Sequence, residues 1–302
     1  MKRLTKTLAA VLLMTTVIFA MGCKPQDDNG MNNLNGNDAP QVAIKGLFSV
    51  SRTQQVYFSK GNLQYKASNN TWRFAEHQYD FIGNDNSHVS QNYRGWIDLF
   101  GWGTSGRDHG AVCYQPWSTS NTNSDYQAYG QYTNNLNDQT GQADWGYNAI
   151  SNGGGQIQQW RTLTYDEWEF VLESRTTLSG IRYAKAEVHN KNGVVLLPDN
   201  WDGATYHLNN TNQNWASFKS NIISKSQWKT LEEAGAVFLP AAGHRNGNTV
   251  ELVGMEGGYW SSTCCDEIAA YGLYVAYEGI GASAGFGRFA GFSVRLVCAA
   301  PI

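Results

Sequence analysis

Charge is scarce in this chain. Of 302 residues only 16% are Asp, Glu, Lys or Arg, and the formal net charge is −3. A broad basic surface is excluded, and with it the electrostatic footprint of a nucleic-acid binder. Solubility is left to neutral polar groups. Proline is rare, at 6 residues. No C-x-x-C occurs, which argues against a redox motif or a zinc knuckle. H-E-x-x-H is absent, and the histidines (His77, His88, His109, His189, His207, His244) are scattered without paired ligand spacing. They read as surface or loop residues. Asparagine, abundant through most of the chain, is missing after Asn248.

Aromatic residues and glycine are plentiful instead, with 11 Trp, 16 Tyr, 12 Phe and 32 Gly. Disordered chains are poor in aromatics, so this composition indicates a turn-rich globular protein. The apolar stretch "LAAVLLMTTVIFA" follows Lys2, Arg3 and Lys6 and is too short to span a bilayer comfortably. Residues 1–22 therefore read as a secretory signal. Gly22 before Cys23 resembles a lipoprotein processing site, with Ala20 where Leu is usual. The resemblance implies cleavage before Cys23 and lipidation of its thiol. "KPQDD" after it is similar to the acidic surface-export signal of some Gram-negative lipoproteins. The expected location is the outer membrane, facing outward. Residues 23–44, rich in Asn and Asp, read as a flexible tether.

Residues 45–302 read as a single α+β domain, because no interior linker appears. "KGLFSVSRTQQVYFSKGNLQYKASNNTWRFA" alternates apolar and polar residues and predicts a β-meander. Residues 84–158 carry mostly loop signals, with Trp96, Trp102, Trp117 and Trp145 expected to pin them to the core. Two helices are predicted. Thr164 and Glu167 form a capping box ahead of Trp168, Val171, Leu172 and Arg175; Ser224 and Gln227 do the same ahead of Trp228 and Leu231, with Gly235 as terminator. "GVVLLPDNW" and "GAVFLPAAG" read as buried strands. In "AYGLYVAY" Leu273 and Val275 share one face, and Gly272, Tyr274 and Ala276 the other; in "FSVRLV" Phe292, Val294 and Leu296 point inward. Cys113, Cys264, Cys265 and Cys298 allow three full pairings, among which sequence does not choose.

Several blocks carry a family resemblance. "WRTLTYDEWEF" resembles a box of the formylglycine-generating-enzyme branch of the C-type-lectin fold. "GAVFLPAAGHRNG", "GGYWSST" and "GFSVRLV" are similar to blocks of the major paralogous (FISUMP-type) domain of bacterial lipoproteins, as are "VYFSKGNLQY", "WRFAEHQYDFIG" and "DLFGWGTSG". The resemblance covers most of residues 46–298. It implies a C-type-lectin-like fold with a small twisted antiparallel sheet, two flanking helices and long irregular loops.

The resembled enzymes carry a Cys pair a few residues apart, whereas Cys264 and Cys265 are adjacent, beside Asp266 and Glu267, which disfavour a thiolate. A ligand-binding receptor or adhesin is the leading expectation. An enzyme or maturation factor of the formylglycine-generating branch and a structural subunit of a surface assembly are the alternatives. Some proteins of this family are targets of diversity-generating retroelements, which rewrite adenines of a C-terminal repeat. Between Cys264 and Ala290 there is no Lys, Gln, Trp or Met, as expected of rewritten Asn codons, although Glu267 and Glu278 break that rule. Segment 259–297 is thus the candidate variable, ligand-binding region. Its outward set is Cys264, Cys265, Asp266, Ile268, Gly272, Tyr274, Ala276, Phe286 and Phe289. Tyr271 and Tyr277, on the parity of Leu273 and Val275, are expected to pack. No catalytic residue is assigned, and the partner is an unspecified protein, glycan or cell-surface ligand. Calcium is the one cofactor weighed, at "PDNWD", where Asp199 and Asp202 read better as a structural turn than as ligands.

Overall fold

The computed structural model describes residues 42–107, 112–129, 134–138, 141–204, 206–211 and 215–301. The signal segment, Cys23 and the tether up to residue 41 lie outside the described residues. Two helices form where their caps are written. In α1 (Tyr165–Glu169) the Thr164 hydroxyl accepts from the Glu167 amide, and the Glu167 carboxylate accepts from the Thr164 amide. A π-helical turn, Phe170–Ser174, continues it and keeps Trp168, Val171 and Leu172 buried on one side. In α2 (Lys225–Glu233) Ser224 and Gln227 make the same reciprocal pair, which satisfies amide donors that the first turn leaves free. Gly235 follows at φ +94°; its Cα face meets Gly46, and a Cβ there would lie 2.5 Å from the Gly46 Cα.

The described strands are short. The first half of the chain gives β1 (Phe48–Ser49), β2 (Gln55–Phe58), β3 (Leu63–Lys66), β4 (Thr71–Phe74) and β5 (Arg161–Thr162). Between and after the helices come β6 (Tyr183–Val188), β7 (Lys191–Leu196), β8 (Ile222–Ile223) and β9 (Val237–Pro240). The last third adds β10 (His244–Asn246), β11 (Thr249–Glu251), β12 (Gly257–Cys264), β13 (Ala269–Val275), β14 (Ile280–Gly287) and β15 (Leu296–Ala299). They form small open sheets in the orders β1-β2-β15-β5, β8-β6-β7-β9, β12-β13-β14, β3-β4 and β10-β11. Pairing is antiparallel except between β6 and β8. The architecture is α+β with few helices and several small, mostly antiparallel sheets.

The predicted meander is instead two separate hairpins. β2 pairs with β1 and with the C-terminal β15 (Phe58 opposite Val297), not with β3. The C-terminal chain takes the hydrogen bonds a meander would use: the Ser59 amide donates to Leu296 and the Leu63 amide to Val294.

Strand alternation then builds the core. In the β8-β6-β7-β9 sheet, Val194, Leu196, Val237 and Leu239 face Trp168, Leu172, Leu273 and Val275. The opposite face sets Ala184, Ala186, Val195 and Phe238 against Trp228 and Leu231 of α2. A third cluster lies under the irregular loops, with Trp72, Phe74, Phe100, Trp102, Trp145, Trp160 and Trp260. The loops are fastened by buried donors: the indole of Trp102 bonds the Ser261 carbonyl at 2.9 Å, and that of Trp160 bonds Gly153 at 2.7 Å. Trp96 is half-buried under the Arg73 guanidinium, 3.8 Å from its ring centre. Arg245, Arg288 and Arg295, all buried, donate mainly to backbone carbonyls and neutral amide oxygens. Occupied donors offset the cost of burying a guanidinium, and of the Arg295 fork only Nε is left without a partner among the described residues.

Candidate ligand-binding site

The site grows from the β12-β13-β14 sheet. On β13, Leu273 and Val275 enter the core beside Tyr259, as the alternation predicts. Tyr271, of the same parity, is half-buried and stacks on Tyr165 of α1 at 4.5 Å. The opposite face departs from the sequence reading. Gly272 is buried rather than outward, because the Phe286 ring lies over it; a Cβ there would sit 3.4 Å from that ring and 2.9 Å from the Tyr259 carbonyl. Ala276 is fully buried, since the chain turns directly after β13, with the Ala276 amide bonding Gly279. The turn breaks the two-residue period, so Tyr277, expected to pack, is 48% exposed and meets the exposed Trp215 edge-to-face.

Phe286 and Phe289, expected outward, are half-buried against the loop cluster. Phe286 lies 4.6 Å from Phe292 and 6.2 Å from both Trp260 and Tyr274. Phe289 folds over Gly287, where a Cβ would come within 2.6 Å of its ring. Tyr274 is half-buried as well. Burial, then the neighbouring Glu256 carboxylate, pushes its phenol up to about 12.

These rings converge. Tyr274, Phe286, Phe289 and Phe292 line a half-open pocket of about 310 Å³, rimmed by His244, Asn246 and Glu256. Gly243, Gly257 and Gly287 line it too and leave it unobstructed by side chains of their own. Distant segments hold the shape. The amide and carbonyl of Arg245 exchange hydrogen bonds with Gly291, and those of Phe100 with Phe292. The Arg245 guanidinium points away, to the carbonyls of Leu99 and Gly247. His244 sits edge-on to Phe292 and 3.6 Å from Glu251. Behind Phe100, the buried Asp98 accepts from the Ile82 amide and Asn86 Nδ2, both at 2.8 Å; burial pushes its carboxyl up to about 6 against those bonds.

The remaining candidates lie elsewhere. Cys264, Cys265, Asp266 and Ile268 form the β12–β13 turn and line no part of the pocket. Asp266 organises that turn by accepting from the amides of Ile268 and Ala269. None of the three full pairings forms, because Cys113, Cys264 and Cys265 are not joined in disulfides. Arg288 Nη2 reaches Cys264 Sγ at 2.8 Å, a cation that the neighbouring sequence does not advertise. Burial nonetheless outweighs it and pushes the Cys264 thiol up, away from thiolate. Asp199 is occupied by Ser49, Gln55 and Arg175, and Asp202 caps its own turn at Ala204. Among the described residues no set of three His, Cys, Asp or Glu side chains is arranged to hold a metal ion.

His244, Asn246 and Glu256 were not legible as site residues. The glycines around them are the one local signal: Gly243 and Gly257 mark close backbone approaches, Gly258 lies against the Phe292 ring, and Gly247 takes a positive φ. No family model, curated protein or solved structure matches the chain.

Proposed function

We propose that the chain is a surface lipoprotein, tethered to the outer membrane through lipidated Cys23, that displays a C-type-lectin-like domain as a non-enzymatic receptor or adhesin. One observation carries the binding role. Tyr274, Phe286 and Phe289, singled out from sequence as contact aromatics, line a single pocket on a sheet whose Leu273 and Val275 anchor in the core. Rigid aromatics give contact area at low entropy cost, as in paratopes. The two short capped helices, open antiparallel sheets and long loops are consistent with a lectin-like fold. Against an enzyme of the formylglycine-generating branch stands Cys264, whose half-buried thiol is pushed up, away from thiolate, by burial. Diversification of segment 259–297 belongs to the same proposal. It predicts a reverse transcriptase gene and a near-copy of these codons in the neighbouring DNA; a plain neighbourhood without either removes it.

The binding role is tested with the purified chain on panels of cells and glycans. Replacing Tyr274 and Phe289 together by Ser abolishes binding while the melting temperature moves little. Unchanged attachment of that double variant overturns the assignment of the pocket. The tether is tested separately: Cys23→Ala releases the protein from the membrane fraction or leaves it unprocessed, and unchanged detergent partitioning of a fully processed variant refutes lipidation.

A further inference from the structure

The lining of the pocket specifies a ligand charge. Its walls are Tyr274, Phe286, Phe289 and Phe292, and the residues around them include one carboxylate, Glu256, and no lysine or arginine. The two guanidiniums adjacent to it in sequence are committed elsewhere, that of Arg245 to the carbonyls of Leu99 and Gly247 and that of Arg288 to the carbonyls of Tyr126, Asp266 and Ala269 and to Cys264 Sγ. An anionic ligand would find no lysine or arginine there and would face Glu256, and the one imidazole, that of His244, is paired with Glu251. A positive one finds several aromatic rings and a carboxylate together. The rings are not parallel: Phe286 makes 45° with Tyr274 and 69° with Phe292, so they meet a guest from different directions. The Glu256 carboxylate lies near the Tyr274 phenol, and both line the pocket.

A lining rich in aromatic rings favours a cation that sheds water easily. A primary ammonium needs several acceptors to replace its hydration, and the rim offers few. A volume of about 310 Å³ suits a small head group and stands at the low end of ligand pockets. We infer that this pocket binds a quaternary ammonium head group. The inference rests on the reading of the pocket as the ligand site and names the chemistry of that ligand.

Choline is the probe, titrated into the full chain by calorimetry alongside the neutral alcohol in which carbon replaces its nitrogen. Choline binds saturably and at least about tenfold tighter than the neutral alcohol, the scale of one good cation–π or charge contact. Phe289→Ala and Glu256→Gln each weaken choline about tenfold in variants that keep the parent's circular dichroism spectrum and a cooperative melting transition. Equal affinity for choline and the neutral alcohol overturns the inference, leaving an apolar pocket indifferent to charge. Choline binding that ignores both substitutions overturns it too, by placing the cation elsewhere. If choline does not bind while the Tyr274/Phe289 double Ser variant still loses surface attachment, the head-group chemistry is wrong and the binding role stands. If attachment also survives, both fail.

Discussion

The β8-β6-β7-β9 sheet and the β12-β13-β14 sheet obey the same alternation and come to different ends. The first is covered on both faces, by the shared core on one side and by Trp228 and Leu231 of α2 on the other. The second gives one face to that same core through Tyr259, Leu273 and Val275. Its other face carries Gly272, Tyr274 and Phe286 under a partial cover of loop aromatics, and that partial cover is the pocket. A period of two decides which residues share a face; it does not decide whether the face is covered. The difference lies in what the rest of the chain places on top: a complete helix in one case, and in the other a loop layer held by arginine and indole donors.

The strongest way to break this comparison is at the fully buried indoles, Trp168 in the shared core and Trp260 in the cluster under the loops. Trp168→Ala and Trp260→Ala each cost about 3–5 kcal/mol, as loss of a fully buried indole does. Urea denaturation reads this directly, with Tyr274→Ala as the contrast at less than about 1 kcal/mol. Equal losses at all three positions would mean that Tyr274 belongs to the core and the two faces are not distinct.

Next in size is the loop layer. Arg288→Met removes the donors that meet the carbonyls of Tyr126, Asp266 and Ala269 and leaves them without that partner. It costs about 2–3 kcal/mol, the scale of stranding buried acceptors. A loss below about half a kcal/mol would show that the arginine holds nothing in place.

Stability against pH separates the two sheets' supports. Asp98 has its carboxyl raised from the usual range to about 6 by burial. A folded value above the unfolded one contributes stability that is complete below about pH 4 and is lost as pH rises through about 6. Unfolding free energy therefore falls between pH 4 and 7 by roughly 2 kcal/mol on this account, and Asp98→Asn flattens that fall. Asp144, also raised by burial, leaves a residual slope in the same direction. An identical profile in parent and variant would show that Asp98 does not titrate in this window.

The smallest effects belong to the β12–β13 turn. Cys265→Ser and Ile268→Ser, both at exposed positions, each change stability by less than about 0.5 kcal/mol. They also leave pocket binding intact, which sharpens the division between that turn and the pocket. Loss of binding in either would rejoin the two.

What was legible in the sequence was local. Thr164 with Glu167 and Ser224 with Gln227 lie three residues apart, and both helices start where those pairs say. The inward parity of Leu273 and Val275 needed only neighbours along one strand. The pairing of β2 with β15 joins Phe58 to Val297 and leaves no mark near either. The burial of Gly272 depends on where Phe286 comes to rest, and the exposure of Tyr277 on a turn that the alternating run concealed. The pocket aromatics were found because they crowd one segment. Glu256, His244 and Asn246 were missed because they reach the pocket from an earlier one.

The position of β15 sets an order of events. It lies between β2 and β5, so a strand near residue 297 completes a sheet begun near residue 48. Arg245 closes on Leu99 across 146 positions, and Arg288 on Tyr126 across 162. A chain emerging from a ribosome or a translocation pore, amino end first, therefore carries its early hairpins and aromatic loops unfinished until almost all of it is through. Such long-range closure slows folding. During that interval the exposed edges of β2 and β5 need shelter, and a chain halted before Leu296 would hold neither edge.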